Sequence, residues 1–240
     1  MNSRNLFLVA ALVLAAPIFA AEEEEEAKDP LEGNVKLGYL ATSGNTETST
    51  LNTGFEAAYT INRWKHQASA AVIYSEENNV ATAEAYEAAW ISGWDLTERD
   101  FLYGRLNWRK DRFGGFNTQF SQTGGYGRKI LTGKVHTLTG GLGAGARQSE
   151  DQLEVSTSEF IITGDLAYKW QFSETAKFDQ TFAVETGESN TFSESVSSVS
   201  TTLIGAFRLV ASYTIRHNSD VPIGTEKKDT RTAISLQYDF

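Results

Sequence analysis

Three histidines, one serine run and one glycine run are the places in this 240-residue chain where residue type and spacing could support catalysis. His217 opens the stretch HNSDVPIGTEKKD, with Asp220, Glu226 and Asp229 close behind it. A His-Asp pair there could activate water for hydrolysis, provided the base comes within hydrogen-bond reach of its partner. No nucleophile or orienting group accompanies it, so a polar surface loop is the simpler reading. His66 and His136 have no acidic residue at useful spacing. SESVSSVSTT, Ser193 to Thr202, offers hydroxyls, but a serine nucleophile needs a paired base and none is near. GGLGAGA, Gly140 to Ala146, imitates a phosphate-binding loop. Such a loop works only between a strand and a helix N-terminus, and no helical pattern follows. The chain has no cysteine, which removes Cys-ligated metals and disulfides. Neither a metal nor a cofactor is expected, and no catalytic set.

The elements carrying these residues are strands. From Thr232 to Phe240 one face holds Thr232, Ile234, Leu236, Tyr238 and Phe240, and the other Ala233, Ser235, Gln237 and Asp239. That period of two marks a half-buried β-strand. It recurs in Leu51–Ile61, Trp64–Ser75 and Glu159–Phe172. Twelve strands are expected, at roughly 34–43, 47–61, 64–76, 80–95, 100–111, 116–131, 134–147, 155–172, 175–187, 192–206, 208–217 and 229–240. Short connections such as INRW, LTERD, LTGK, FSETA and AFR alternate with mostly longer, more polar ones. Short periplasmic turns and longer extracellular loops have that alternation in outer-membrane barrels. The three prolines, Pro17, Pro30 and Pro222, all fall outside the strands, where they leave the ladder intact.

Aromatics decide between lipid and water. Trp64, Trp94, Phe101, Trp170, Phe172, Phe207, Tyr238 and Phe240 lie near the short-turn ends; Tyr39, Tyr74, Trp108 and Phe120 lie toward the others. Two aromatic girdles suit the two headgroup boundaries of a bilayer. The mean hydropathy of -0.33 looks soluble, as the average over alternating barrel strands does. The fold class expected is all-β: a transmembrane antiparallel up-and-down β-barrel of about twelve strands. A soluble periplasmic ligand-binding barrel is the competing architecture, and the aromatic ends disfavour it.

Residues 1–20 read as a signal peptide: Arg4, an apolar run from Leu6 to Ala16, then small residues at Ala20 and Ala21. The run is about eleven residues, against roughly twenty for a spanning helix, which disfavours a retained anchor. Residues 21–32 carry Glu22–Glu26 and read as an acidic disordered leader; residues 33–240 form the barrel. A net charge of -10 excludes nucleic acid as a partner. The expected location is the bacterial outer membrane, as a monomer. Its expected partners are outer-membrane lipid and lipopolysaccharide, the barrel-assembly machinery and periplasmic chaperones. Ile234, Leu236, Tyr238 and Phe240 resemble the assembly signal of a closing strand.

GYLATSGNTETSTLN (Gly38–Asn52), YGRLNWRKDRFGGF (Tyr103–Phe116) and SYTIRHNSDVPIGTEKKDTRTAISLQYDF (Ser212–Phe240) together resemble the salt-induced outer-membrane protein family, a domain of unknown function. The resemblance runs from about Leu31 to Phe240. It implies an outer-membrane β-barrel and supplies no reaction, ligand or catalytic residue. The function expected is a non-enzymatic barrel, either a narrow passive pore or a structural envelope protein linked to salt stress. The competing function is an outer-membrane hydrolase with a His-Asp site on the extracellular rim.

Projected inward are Glu56, Glu87, Arg105, Arg109, Asp111, Asp165, Lys169, Lys177, Asp179, Glu185, Arg216, Arg231 and Asp239. Both signs are mixed, and a selective channel usually carries an excess of one sign at its constriction. Odd positions of the sixth and seventh strands also face inward: Gly125, Gly127, Gly141, Gly143 and Gly145. Glycine in a strand marks close approach by another group. Tyr103, Arg105 and Arg109 on the fifth strand face inward and are long enough to reach sideways, and the two arginines are expected to fold over a shallow lumenal groove there and pair with inward carboxylates. Alternatively, the glycines serve only to bend the wall.

Overall fold

The computed structural model describes residues 30–42, 47–114, 116–221 and 226–240. The expected signal peptide and most of the expected acidic leader lie outside these residues. Twelve strands are present: β1 (Leu31–Thr42), β2 (Thr48–Ile61), β3 (Trp64–Glu77), β4 (Val80–Asp95), β5 (Asp100–Asp111) and β6 (Phe116–Thr132), then β7 (His136–Asp151), β8 (Ser156–Gln171), β9 (Ala176–Thr186), β10 (Thr191–Ile204), β11 (Phe207–Asn218) and β12 (Lys228–Asp239). Each pairs antiparallel with its sequence neighbours, and β1 with β12, closing a ring. β1 begins at Leu31, earlier than the alternation suggested, because Leu31 still pairs with Tyr59 of β2.

Local chemistry sets the tight turns. Asn62 (φ 54°) turns β2 into β3, and Asn78 and Asn79 (φ 50° and 62°) turn β3 into β4. Asparagine tolerates this left-handed region better than other side chains, and two such residues in succession match the twist of a two-residue hairpin. Gly205, at φ 52°, does the same between β10 and β11.

Alternation then sorts the side chains. On β5, Leu102, Leu106 and Trp108 are exposed outward, while Phe101, Tyr103 and Arg105 are buried within the ring. Outward rings gather at the short-turn ends: Trp64 meets Trp94 at 4.9 Å, Phe207 meets Tyr238 at 5.1 Å, and His136 stacks on Tyr168 and Trp170 at 6.0 Å each. Phe101 does not join this girdle. It is 1 % exposed, because its odd position on β5 shares the inward parity of Tyr103 and Arg105.

The closing seam is built around the last residue. Gly33 and Phe240 exchange backbone hydrogen bonds of 2.9 Å, and the ladder continues over Asn34–Leu37 against Leu236–Asp239. The Phe240 ring lies against Gly33, where an added Cβ would sit 2.6 Å from its Cζ, and stacks with Phe55 at 6.5 Å. Ile234, Leu236, Tyr238 and Phe240 all point outward and are exposed.

Candidate functional site

Buried polar and charged groups converge inside the ring. Its β5–β8 wall carries the glycines. Gly125, Gly127, Gly141, Gly143 and Gly145 all stand on the inward face, their Cβ positions directed at lumenal side chains or at neighbouring backbone. A Cβ on Gly125 would come within 2.5 Å of the Tyr103 ring, and one on Gly127 within 2.2 Å of Phe101. Gly143 would meet the Tyr103 hydroxyl at 2.8 Å and Gly141 the ring at 3.3 Å. Two aromatic rings therefore lie against bare backbone, together with Ile91 and Ala167. The groove expected here is filled, and by rings more than by arginines, because Phe101 and Tyr103 stand on the adjacent strand at the glycines' own register: Tyr103 opposite Gly125, Phe101 opposite Gly127.

Arg105 stays beside this patch. Its Cζ is 5.2 Å from the Tyr103 ring centre, and its Nη1 donates to Asp165 Oδ1 at 2.9 Å. The Tyr103 hydroxyl donates to Asp165 Oδ2 at 3.4 Å. Arg109 leaves the glycines altogether: it reaches Glu185 on β9 at 3.7 Å and lies 4.3 Å over the Phe192 ring on β10.

Among the described residues, Arg216 makes one of two ion-pair crossings that span five strand positions around the ring. From β11 its Nη1 and Nη2 donate to the two Glu87 oxygens on β4 at 2.6 and 3.1 Å, and its Nε donates to Glu194 on β10. β4 and β11 stand nearly opposite each other in the ring. Such a planar bidentate fork is the strongest geometry open to a guanidinium. Arg231 on β12 reaches Asp111 on β5 at 3.4 Å, again across the lumen. Arg147, 2 % exposed, donates to Glu159 at 2.6 Å and to the Asn190 carbonyl at 2.6 Å, and lies 3.7 Å from Glu185. Arg147, Glu159 and Glu194 were not among the expected inward charges. Arg147 and Glu194 share the lumenal parity of Gly145 and Ser198, so extending the alternation to the strand ends would have found both.

Between these ties lie small cavities, among them one of about 40 Å³ and one of about 50 Å³, with Glu87 and Arg109 in the walls of both. Each has room for a few water molecules. Several buried atoms around the lumen, including Arg105 Nε, Thr123 Oγ1, Ser200 Oγ and Thr214 Oγ1, have no protein partner. Buried polar groups are normally satisfied, so water is the natural occupant.

His217 is exposed on the outer face of β11, whereas its neighbour Arg216 points inward. Asp229 stands opposite Arg216 in the ladder and shares its inward face. Among the described residues no hydrogen bond or ion pair joins His217 to Asp220, Glu226 or Asp229. His66 donates to or accepts from Ser92 at 2.8 Å, and His136 likewise with Tyr168 at 2.8 Å, both within the aromatic girdle. GGLGAGA runs through the middle of β7 with no helix following it. No group of acidic or histidine side chains suited to a metal occurs among the described residues.

The family described as "Protein of unknown function, DUF481" matches residues 35–240. The chain belongs to that family. It is 33 % identical over 223 residues to the "Uncharacterized protein YdiY" of Escherichia coli (strain K12), covering 90 % of this chain and 86 % of the relative. Two solved structures share the fold. The COG4313 outer-membrane channel from Pseudomonas putida F1 aligns with a TM-score of 0.54 at 8 % identity, covering 93 % of this chain and 100 % of that one. The NanC porin aligns at 0.51 with 9 % identity, covering 86 % and 97 %. The chain is thus a transmembrane antiparallel β-barrel of the outer-membrane type.

Proposed function

We propose that this protein is a non-enzymatic pore of the bacterial outer membrane, narrow and passive, whose lumen is nearly closed by its own charge pairs. The carrying observation is Arg216, held between Glu87 and Glu194 across the barrel. A constriction built from matched signs gives small currents and weak ion selectivity, since selectivity needs an excess of one sign. The signal-peptide pattern, the two aromatic girdles and the outward apolar face of β12 support residence in the outer membrane as a monomer, among lipid and lipopolysaccharide. Ile234, Leu236, Tyr238 and Phe240 serve as the signal read by the assembly machinery after chaperoned passage through the periplasm. The family resemblance supports a role for this pore in the envelope under salt stress.

Single-channel recording in a planar bilayer tests the reading. Wild-type protein should give low, weakly selective steps. Arg216→Ala should give larger steps with cation preference, because Glu87 and Glu194 then lose the guanidinium that bridges them. Large, strongly selective wild-type steps would overturn it. A hydrolytic activity lost in His217→Ala would put the enzyme in its place.

A further inference from the structure

The ring is not closed evenly. β1 pairs with β2 up to Thr42 opposite Thr48, and β11 with β12 up to His217 opposite Lys228; where the β4–β5 and β8–β9 ladders stop short, at Ala85 opposite Asp111 and Ile162 opposite Thr186, one of the two strands ends there. β1 and β12 pair with each other only over Asn34–Leu37 and Leu236–Asp239, below which Gly33 and Phe240 add their two bonds. Above Leu37 and Leu236 no ladder pair joins the two strands among the described residues. The cause is not fraying, because both strands continue upward, bonded to their other neighbours.

The fork starts at a defined place. Continuing the register would set Gly38 opposite Ser235, Tyr39 opposite Ile234 and Ala41 opposite Thr232. Gly38 has no side chain, and the Asn52 amide of β2 occupies that space: an added Cβ would be 2.5 Å from Nδ2. Through it Asn52 receives a 3.2 Å hydrogen bond from Ser235 Oγ on β12. A side-chain brace thus replaces the backbone ladder where the ladder stops.

Beyond the brace, alternation fixes what the edges present. Gly33 faces β12 with its N–H and C=O, so in an antiparallel ladder every second residue does likewise. Tyr39 and Ala41 therefore direct their backbone groups at the fork from one side, and Ile234 and Thr232 from the other. Open sheet edges are not tolerated against hydrocarbon, but they are where they line a wet cavity. Tyr39 (68 % exposed) and Ile234 (60 %) flank the fork outside, while Ala233 is buried on the inner face. Tyr39 belongs to the extracellular aromatic belt, so the fork opens at the headgroup level of the outer leaflet.

We infer that the seam between β1 and β12 is a lateral portal linking the extracellular half of the lumen to the outer leaflet. The molecule it suits is a single-chain amphiphile: an acyl chain passing between Tyr39 and Ile234, and a hydrogen-bonding head received by the bare backbone edges. This portal is independent of whether the lumen conducts ions.

The absence of cysteine allows clean placement of thiol pairs in the full chain. Barrel protein in lipid nanodiscs should show rapid amide exchange at Tyr39, Ala41, Thr232 and Ile234, against protection at Val35 and Leu37. A diazirine-bearing palmitic acid in the same bilayer should then label lumen-side positions beside the fork, Leu40 and Ala233. Bridging Ala41→Cys to Thr232→Cys with a short bismaleimide should cut that labelling several-fold, whereas bridging Val35→Cys to Tyr238→Cys should leave it unchanged. Full amide protection up to Ala41 overturns the proposal. So does labelling confined to outward residues, or labelling that the upper bridge leaves intact. A bridged variant that fails to fold is detected by its gel mobility, and the exchange pattern of the wild type then decides alone.

Discussion

On the β5–β8 side of the lumen, Phe101 and Tyr103 lie on a floor of glycine backbone; on the β9–β12 side, the guanidinium groups of Arg216 and Arg231 reach across the lumen to carboxylates. Both arrangements fill the interior, but they differ in what a substitution meets. The aromatic side is a fit of shape, where atoms added to the floor have nowhere to go. The charged side is a fit of sign, where atoms removed leave partners behind. Growth should therefore be most costly at the glycines of the first side, and truncation should strand charges on the second.

The largest effect is expected from growth at the floor. A Cβ at Gly145 would lie 1.9 Å from the Gln122 carbonyl oxygen and 2.7 Å from Thr123 Cα. These are backbone atoms that no rotamer change can move. Gly145→Ala should exceed the ~1–3 kcal/mol usual for overpacking and abolish the heat-modifiable folded band. Gly104, on the outward face of the same wall, has nothing within 4 Å of its Cβ position. Gly104→Ala should stay within about 0.5 kcal/mol by urea midpoint. Equal behaviour of the two variants would remove the shape half of the comparison.

Next comes loss of sign. Arg216→Ala strands Glu87 and Glu194 and should cost about 3–5 kcal/mol, as removing one partner of a buried ion pair does. Replacing all three together with apolar residues, Arg216→Met, Glu87→Leu and Glu194→Leu, should recover most of that loss. No recovery in urea titration would mean that the trio matters for shape and not for charge.

A third test concerns the seam, which belongs to neither wall. Deleting Phe240 removes the ring seated on Gly33 and two backbone bonds, so outer-membrane yield should fall several-fold in heat-modifiability gels. Unchanged yield would withdraw the assembly role proposed for this strand. The smallest effect sharpens the aromatic side: Tyr103→Phe loses a long, 3.4 Å hydrogen bond to Asp165 and should cost about 1 kcal/mol. Tyr103→Ala, which bares the floor, should cost about 3–5 kcal/mol in the same titration.

The sequence made the architecture legible because alternation is a local property: Ile234, Leu236 and Tyr238 declare their face without reference to any other strand. It also placed Arg105 and Gly125 on one wall, since both follow from parity and hairpin pairing. Phe101 was misplaced because its position near a turn suggested a girdle, although parity on β5 already put it inside. What pairs across the lumen was not legible. That Arg216 meets Glu87, and Arg109 meets Glu185 and not the glycines, depends on strand tilt, ring diameter and side-chain reach, none of which is written in any one segment. The forked seam lay beyond reach for the same reason: it depends on how the first and last strands meet after all the others have set the circumference.

The glycine floor also has a mechanical meaning. Gly124 faces outward opposite Gly104, while Gly125 and Gly143 face inward, so around β5–β7 the wall is in places little more than one peptide layer thick. On the far side Arg216 and Arg231 act as struts between opposite strands. An elastic ring made this way is not uniformly stiff. Squeezed by changes in lateral membrane pressure, it should bend along the thin arc and move as a rigid plate along the strutted one, so its cross-section would flatten in one preferred direction.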